Sequence, residues 1–413
     1  MINRLKVEAL FNHYDYDIDF KANNWFTIMA GPNGSGKTTL LKIIYHLTSG
    51  NFWYFNILQF KKILLSFNTG LIVEISKEEL VSSDDSDNNI SSVLFSFSGH
   101  NIKLDKNYVK SLVAAISTEY SIKPSKQDVD YEDFLTLKYK RKDDSSLPDD
   151  FRTLQLELND EHPIFVRYNR LMPVMGEQGG DMDYQIELLS ADLKLRYQRA
   201  SISNSEKIQK LDSTYGSRLV KDQITPYNEG EYHQKVQSLN DKIDEYKRFG
   251  LLMGFHADDS YSDKMKLPLT LTLMDLSKKI GYYSEFYSKL SLLNQIIEND
   301  GFQNKVMTLS QRGIEFNDSQ TGARIPLRRL SSGEQSLLIM FYNMIFKSHE
   351  HQSIIMIDEP ETSMHPAWLN DMLYNYREVN EVIKCQMIFA THSRDFVDQD
   401  WDDTVDLYMQ EER

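Results

Sequence analysis

The sequence predicts an α/β fold built around a buried parallel sheet, and three observations support this prediction. Residues 25–30 form a short, largely apolar run that leads into a glycine-rich loop and then a helical pattern. Residues 353–357 and 387–390 form two further apolar runs, and each ends in polar residues. Such runs are typical of strands that are buried on both faces. Ligands bind at the carboxyl ends of these strands, so the polar residues that follow are the candidates for function.

The overall composition is that of an ordered globular protein of 413 residues with 41% hydrophobic residues. This length suits one large α/β domain with insertions or two domains with separate cores. The formal net charge is -15, so the average surface repels phosphate groups. Any contact with nucleic acid or anionic lipid must therefore be local.

The sequence lacks the segments that a membrane or secreted protein needs. No stretch approaches the roughly 18 consecutive apolar residues of a membrane helix. Residues 1–10 carry charges where a signal peptide is apolar. The single cysteine, Cys385, excludes an internal disulfide and a cysteine-based metal cluster. We therefore expect a cytoplasmic protein that does not contact membranes.

The glycine-rich loop has the sequence GPNGSGKT at residues 31–38, which matches the pattern G-x-x-x-x-G-K-[ST] between a strand and a helix. Its glycines let successive backbone N–H groups face nucleotide phosphates at the positive end of the helix. Lys37 would reach the β- and γ-phosphates of ATP, and the Thr38 hydroxyl would bind Mg²⁺. The predicted phosphate-binding residues are Asn33, Gly34, Ser35, Gly36, Lys37, Thr38 and Thr39.

Two carboxylates follow the apolar run at residues 353–357. Asp358 would hold Mg²⁺, and Glu359 is placed to orient or deprotonate the attacking water. Without the glycine-rich loop, a solvated strand end would be the better interpretation of two adjacent acids. With that loop present, the arrangement predicts a Walker B strand and hydrolysis of ATP.

The sequence LSSGEQS at residues 330–336 precedes an apolar helical stretch. With the glycine-rich loop, it resembles the ABC ATPase superfamily, whose signature is usually LSGGQ, and within it the branch of Rad50, RecF and the OLD-type ATPases. The resemblance implies that this segment caps the γ-phosphate held by a second copy, with Ser331 and Gly333 in contact with the phosphate. The signature positions in trans are Ser331, Ser332, Gly333 and Glu334. Ser332 and Glu334 depart from the usual signature, as is common in the SMC-like branch. A serine followed three residues later by glutamate also fits a helix capping box, and both interpretations can hold together.

The last motif is a polar trio that follows residues 387–390. The resemblance implies that His392 senses the γ-phosphate and helps to hold the attacking water, at a spacing from Glu359 that fits the family. An isolated histidine at a strand end is otherwise usually structural. Residues 361–366 resemble the family's D-loop, which crosses the dimer seam and here contains Ser363 and His365.

The 294 positions between Lys37 and Ser331 (331 minus 37) indicate a large insertion, far longer than in the transporter motors of the superfamily. We predict an α/β, ABC-type P-loop ATPase head with three parts. These are an ATPase core at residues 1–50 and 301–413, an antiparallel β lobe at residues 51–170, and a short, coiled-coil-like helical insertion at residues 171–300. Relatives carry a Q-loop near residue 169, but glutamine is absent here. Asn169 or Arg170 could replace it, although a structural strand end is the simpler interpretation.

Apolar residues in the helical insertion recur every three or four positions. One stripe predicts a single helix of about 25 residues and consists of Leu276, Ile280, Tyr283, Tyr287, Leu290, Leu293 and Ile297. A second, shorter stripe consists of Val236, Leu239, Ile243 and Tyr246. Such arms resemble the helical lid of the OLD-type ATPases and are too short for the long coiled coil of Rad50.

The segment from Leu193 to Lys221 has a local charge of +5, because it contains seven basic residues and two acids. It could contact nucleic acid or an acidic partner, such as a phage component, although a solvated helix face is the simpler interpretation. The basic residues are Lys194, Arg196, Arg199, Lys207, Lys210, Arg218 and Lys221.

The resemblance extends to the ATPase subunits of anti-phage systems such as Septu and PARIS, which act with a nuclease effector. Only 21 residues follow His392 (413 minus 392), which is too few for the nuclease domain of OLD proteins. We therefore expect an ATP-dependent homodimer, or a higher homo-oligomer, that regulates a separate nuclease. The alternative is a DNA repair or recombination ATPase, resembling RecF or Rad50, that clamps DNA.

Overall fold

The computed structural model describes residues 1–20, 25–77, 92–104, 149–158, 162–167, 182–221, 224–299, 302, 304–310, 313–348, 353–361, 366–397 and 401–408. Its contacts divide the chain into two compact units. Unit 1 comprises Met1–Gly179 and Lys347–Arg413, and unit 2 comprises Gly180–Phe346. Four predicted residues lie outside the described part of the chain, namely Asn169, Arg170, Ser363 and His365.

The first sheet of unit 1 is antiparallel, with six strands in the order β2-β1-β4-β5-β6-β7. The strands are β1 (Ile2–Leu10), β2 (Tyr14–Asp19), β4 (Lys62–Phe67), β5 (Ile72–Lys77), β6 (Val93–Phe97) and β7 (His100–Leu104). Buried and more exposed residues alternate along β4 and β6, as expected for a sheet with one buried face. The predicted antiparallel sheet is therefore confirmed, and strands β4–β7 extend the sheet that begins with β1 and β2.

The second sheet of unit 1 is parallel, in the order β14-β3-β13-β12-β8. Its strands are β3 (Phe26–Ala30), β8 (His162–Arg167), β12 (Ser353–Asp358), β13 (Gln386–Thr391) and β14 (Thr404–Asp406). Residues of β13 are all buried, and β12 is buried except at Asp358. The register pairs Asp358 with Ala390 and Thr391 with Ala30. The polar residues that follow β3, β12 and β13 therefore begin at one edge of the sheet.

Helix α1 (Lys37–Thr48) supplies apolar side chains to one core that includes residues of both sheets. Its fully buried residues are Leu40, Leu41, Ile43, Ile44 and Leu47. The other described helices of unit 1 are α2 (Tyr54–Ile57), α3 (Asp149–Glu157), α10 (Pro366–Ile383) and α11 (Arg394–Val397). Removal of this apolar surface from water is the main favourable term that holds the loop-bearing helix in place.

A buried glutamine also joins the two sheets. Gln386, at the start of β13, accepts a hydrogen bond from the Ile2 N–H at 2.8 Å and donates one to the Ile2 carbonyl oxygen at 2.9 Å. Gln386 is 3% exposed, so both halves of its amide have partners inside the core, as buried polar groups require.

Unit 2 contains a small antiparallel sheet and the helices of the insertion. Its strands are β9 (Lys305–Ser310), β10 (Gly313–Asp318) and β11 (Arg324–Ile325), in the order β11-β10-β9. Its helices are α4 (Met182–Ser213), α5 (Tyr215–Lys221), α6 (Glu229–Lys247), α7 (Lys266–Gly281), α8 (Ser284–Asn299) and α9 (Ser332–Lys347).

The prediction of one long helix across residues 276–297 is wrong, because α7 ends at Gly281 and α8 begins at Ser284. The Tyr283 N–H bonds to the Ile280 carbonyl oxygen at 3.0 Å, which tightens the last turn, and Ser284 Oγ donates to the Gly281 carbonyl oxygen at 2.8 Å. Glycine lowers helix propensity at this point. The apolar stripe stays largely buried on both helices, so its periodicity alone did not show the break.

The two compact units differ from the predicted three-part division. Unit 1 combines residues 51–170 with the first 50 residues, and unit 2 combines residues 301–346 with the helical insertion. The functional division into core, lobe and lid stays a prediction. Among the described helices, none is both long enough and apolar enough to span a membrane.

Candidate functional site

The glycine-rich loop joins the end of β3 to the first turn of α1. Gly34 has φ +91° and Gly36 has φ +80°, and both values lie in the left-handed region that other residues rarely adopt. A Cβ on Gly36 would lie 3.1 Å from Leu10 Cδ2, so β1 leaves little space for a side chain there. Gly36 accepts a hydrogen bond from the Leu40 N–H at 2.9 Å, which starts α1. The loop therefore has the curl in which N–H groups can face an anion at a helix N-terminus.

Lys37 is the buried cation of this loop, with 6% exposure. Its Nζ donates to the carbonyl oxygens of Gly31 at 2.8 Å and Pro32 at 2.7 Å. Burial lowers the pKa of Lys37, whereas Glu359 and two neighbouring carboxylates act in the opposite direction. The ammonium group therefore lies within electrostatic reach of the acids that follow β12.

Tyr16 on β2 supports the loop from the antiparallel sheet. Its hydroxyl donates to the Ser35 carbonyl oxygen at 2.5 Å, and its side chain is 1% exposed. Ser35 Oγ in turn donates to the Pro32 carbonyl oxygen at 2.9 Å. The sequence analysis missed Tyr16, because the only local signal was the alternating pattern of β2.

The turn between β1 and β2 holds a second residue near the loop that the sequence analysis missed. Phe11 and Asn12 in this turn have φ values of 54° and 66°, and Ala9 near the end of β1 has φ 52°. Such strained backbone in non-glycine residues concentrates at functional sites. A Cβ on Gly36 would lie 3.8 Å from Phe11 Cε2. The Phe11 side chain is 36% exposed, so its ring offers an aromatic surface beside the loop.

Thr38 and Asp358 are 320 positions apart in the chain and meet at the sheet edge. The Thr38 hydroxyl donates to Asp358 Oδ1 at 3.0 Å. A hydroxyl and a carboxylate in contact are hard oxygen donors of the kind that Mg²⁺ selects, and Mg²⁺ is commonly bound by few protein groups together with substrate phosphates. Among the described residues, no group of three or more His, Cys, Asp or Glu side chains could hold a metal ion by itself. The residues present therefore fit Mg²⁺ only as part of a site shared with phosphate.

Glu359 and His392 lie next to this pair. Glu359 has φ 50°, and its N–H donates to the Ala390 carbonyl oxygen at 2.8 Å, so β13 holds this strained residue in position. His392 Nδ1 is 3.7 Å from Glu359 Oε1, and their side chains are 42% and 35% exposed. Both side chains therefore reach solvent at the edge where a substrate phosphate would bind.

Glu361 is closer to the histidine than Glu359 is. Its Oε1 lies 3.1 Å from His392 Nδ1 and also accepts hydrogen bonds from Thr391 Oγ1 at 2.7 Å and the His392 N–H at 3.1 Å. The Glu361 side chain is 9% exposed. The sequence analysis placed Glu361 only at the start of the D-loop segment, because a contact across 31 positions leaves no local pattern.

The predicted signature lies in unit 2 at the start of α9. The Ser331 N–H donates to Glu334 Oε2 at 2.8 Å, and the Glu334 N–H donates to Ser331 Oγ at 3.3 Å, so the predicted capping box is present. Lys305 on β9 forms an ion pair with Glu334, which is buried. Ser331 and Ser332 are exposed. The helix therefore presents two serines at its positive end.

The remaining predicted phosphate ligands differ in exposure, because Asn33 is exposed whereas Thr39 is half-buried.

The basic segment at residues 193–221 is partly neutralised within unit 2. Arg218 binds Asp275 through two contacts of 2.6 Å, and Arg196 Nε donates to Asp192 at 2.9 Å. These two of the seven basic residues therefore have internal acidic partners.

A glycine-rich loop between a parallel strand and a helix, with a threonine–aspartate contact at the same sheet edge, defines a P-loop ATPase of the α/β class. The chain belongs to the AAA_15 family, described as an AAA ATPase domain, whose sequence profile matches residues 1–397. A solved structure described as the SMC head bound to the C-terminal winged-helix domain of ScpA is similar to this chain, with 12% identity and a TM-score of 0.40, covering 96% of this chain and 92% of that one. No curated protein sequence matches the chain.

Proposed function

We propose that this protein hydrolyses ATP with Mg²⁺ at the edge of the parallel sheet. The observation that carries the proposal is the contact of 3.0 Å between Thr38 Oγ1 and Asp358 Oδ1, with Lys37 and Glu359 beside it. Few functions other than nucleotide hydrolysis need a buried lysine in a glycine loop, a hydroxyl–carboxylate pair and a further exposed carboxylate at one sheet edge.

The residues divide the work as follows. Lys37 exchanges the Gly31 and Pro32 carbonyl oxygens for the β- and γ-phosphates, and the loop N–H groups of residues 33–39 bind the same phosphates. Thr38 and Asp358 would hold Mg²⁺, which would supply positive charge to balance the negative charge that develops on the phosphates. Glu359 orients or deprotonates the attacking water. The exposed ring of Phe11 beside the loop is suited to stacking on the adenine base.

Each site is completed by a second copy of the chain. Ser331 Oγ accepts the Glu334 N–H, so its own O–H group is still able to donate to a γ-phosphate oxygen. Ser332, which is exposed, and Gly333, which is half-buried, lie at the same helix start, where the helix dipole favours an anion. In this arrangement, ATP joins two copies head to tail, with the loop of one copy and the signature of the other on the same nucleotide.

We further propose that this ATPase acts in the cytoplasm as the sensor and regulator of a separate nuclease in anti-phage defence. This role rests on the resemblance to the ATPase subunits of Septu and PARIS. The rival role, a clamp on DNA, needs a basic surface, but the net charge is -15 and Arg196 and Arg218 already have acidic partners in unit 2. The local chemistry therefore favours a protein partner.

ATP turnover by the purified chain with Mg²⁺ tests the catalytic part of the proposal. Lys37→Ala and Glu359→Gln should each lower turnover at least about 100-fold, whereas Lys42→Ala on the same helix should leave it within about twofold. Equal turnover by wild type and Lys37→Ala would refute ATP hydrolysis at this loop.

A pull-down of tagged Glu359→Gln from its native host with ATP tests the partner, because loss of the water-activating group should trap the closed state. Co-purification of a nuclease, lost with Lys37→Ala, is the expected result. DNA without a nuclease would contradict the defence role and support the clamp.

A further inference from the structure

Glu361 makes an unusual set of contacts for a loop carboxylate. One oxygen, Oε1, accepts hydrogen bonds from the Thr391 hydroxyl and the His392 backbone N–H at the end of β13, and it lies 3.1 Å from His392 Nδ1. The other oxygen, Oε2, is buried and has no hydrogen-bond partner within the described part of the chain. A buried carboxylate oxygen without a partner is destabilising, so the fold gains little from a charge at this position. A glutamine would accept the same bonds without a buried charge.

The contact between the two side chains favours one protonation of the histidine ring. An unprotonated ring nitrogen and a carboxylate oxygen repel each other at 3.1 Å, so the contact favours a proton on His392 Nδ1. In a neutral imidazole, Nε2 is then the nitrogen with the lone pair. A second acidic oxygen, Glu359 Oε1, lies 3.7 Å from the same Nδ1 and is beyond hydrogen-bond distance. The position of Glu361 beside Nδ1 therefore leaves Nε2 as the His392 nitrogen with the lone pair.

We propose that Glu361 is a positioning residue that holds His392 in one orientation and one tautomer. This inference rests on the proposed function, in which His392 acts on the attacking water and the γ-phosphate. With Nδ1–H beside Glu361 Oε1, neutral His392 presents an Nε2 acceptor for a water proton. Glu361 thus acts through His392 and makes no contact with ATP.

The tautomer is measured directly by nitrogen NMR on protein labelled with ¹⁵N-histidine. The chain has ten histidines, and His392→Gln identifies the signals of His392. Wild type should show protonated Nδ1 and unprotonated Nε2. Glu361→Ala removes the acceptor, so His392 should shift to the Nε2–H tautomer that dominates in free histidine. Glu361→Gln keeps an acceptor and should keep the Nδ1–H tautomer.

The rate of ATP turnover should change in the same order as the tautomer, most in Glu361→Ala and less in Glu361→Gln. Glu361→Ala should lower kcat about 10- to 100-fold, the range seen when a group that orients a catalytic ligand is lost, with the Kd for ATP unchanged within about twofold. Glu361→Gln should recover part of the loss, because it restores the orientation without the charge. His392→Gln added to Glu361→Ala should cause no further loss, since residues that act as a unit are not additive.

Thr391→Val is the matched control for a purely structural role. It removes the hydroxyl donor to Glu361 and leaves the contact between Glu361 and His392, so tautomer and kcat should stay near wild type. The inference is overturned if His392 keeps the Nδ1–H tautomer in Glu361→Ala, or if Glu361→Ala and Thr391→Val have the same kcat. Unchanged turnover in Lys37→Ala would instead refute the proposed function, and the NMR result does not depend on that outcome.

Discussion

Replacement of Gly313 with alanine should destabilise unit 2 far more than its small size suggests. Gly313 opens β10 with φ +106°, and its backbone lies against Ser190 of α4. An added Cβ would lie 2.3 Å from Ser190 Oγ and 2.6 Å from the Ser190 carbonyl oxygen. The hydroxyl can rotate away, but the carbonyl oxygen belongs to the backbone of a 32-residue helix and cannot. The strand and the helix must therefore separate.

The magnitude has two contributions. A positive φ costs an L-residue about 1–2 kcal/mol, and forcing an extra carbon into a packed contact costs about 1–3 kcal/mol. We expect a loss of about 2–5 kcal/mol in the free energy of unfolding of unit 2. Gly322→Ala is the matched control, because Gly322 has φ +67° but no atom within 4 Å of an added Cβ, so only the first contribution applies.

Urea unfolding, followed by hydrogen exchange of peptides from residues 304–318, measures this loss in unit 2 separately from unit 1. The Ile314 N–H, which donates to Ser190 Oγ at 3.1 Å, should exchange faster in Gly313→Ala. If Gly313→Ala and Gly322→Ala agree within about 0.5 kcal/mol, the contact with α4 does not limit this position and the reasoning fails.

Two further predictions concern charged side chains. Asp275→Ala should cost about 3–5 kcal/mol, because it removes the carboxylate that compensates the Arg218 charge in a site where the two side chains are 16% and 5% exposed. Arg218→Met combined with Asp275→Leu should recover most of this loss in urea unfolding, and full additivity of the single losses would contradict this. Burial lowers the pKa of Lys77 to about 8 from its ordinary 10.5, so between these values the unfolded chain binds more protons. The free energy of unfolding should therefore rise with pH across this window. Lys77→Met should remove this rise of the free energy of unfolding with pH. An unchanged pH dependence in Lys77→Met would contradict the prediction.

Features with a local pattern were predictable from the sequence. The buried strands follow from continuous apolar runs, and the glycine loop follows from a spacing that backbone geometry imposes. The capping box of Ser331 and Glu334 was predictable because its partners are three residues apart.

Features that depend on distant contacts were not predictable. Tyr16, Glu361 and Asp275 each act through a partner brought close by the fold, and none of them forms a motif. The break between α7 and α8 was missed because a two-residue turn leaves the apolar stripe nearly in phase. The spacing of apolar residues indicates which face of a helical segment is buried. It indicates less well whether that segment is one continuous helix.

The order of the parallel sheet constrains how the protein can be made. Strand β3, which carries the phosphate loop, has β13 and β14 as its neighbours, and 356 positions separate Ala30 from Gln386 (386 minus 30). At roughly 5–20 residues per second, a ribosome needs about 20–70 s to bridge that gap. During this time the apolar β3 has no partner in its sheet, and pairing across such distances is slow. A nascent chain should therefore need chaperone protection, and it should bind nucleotide only after β13 has been synthesised.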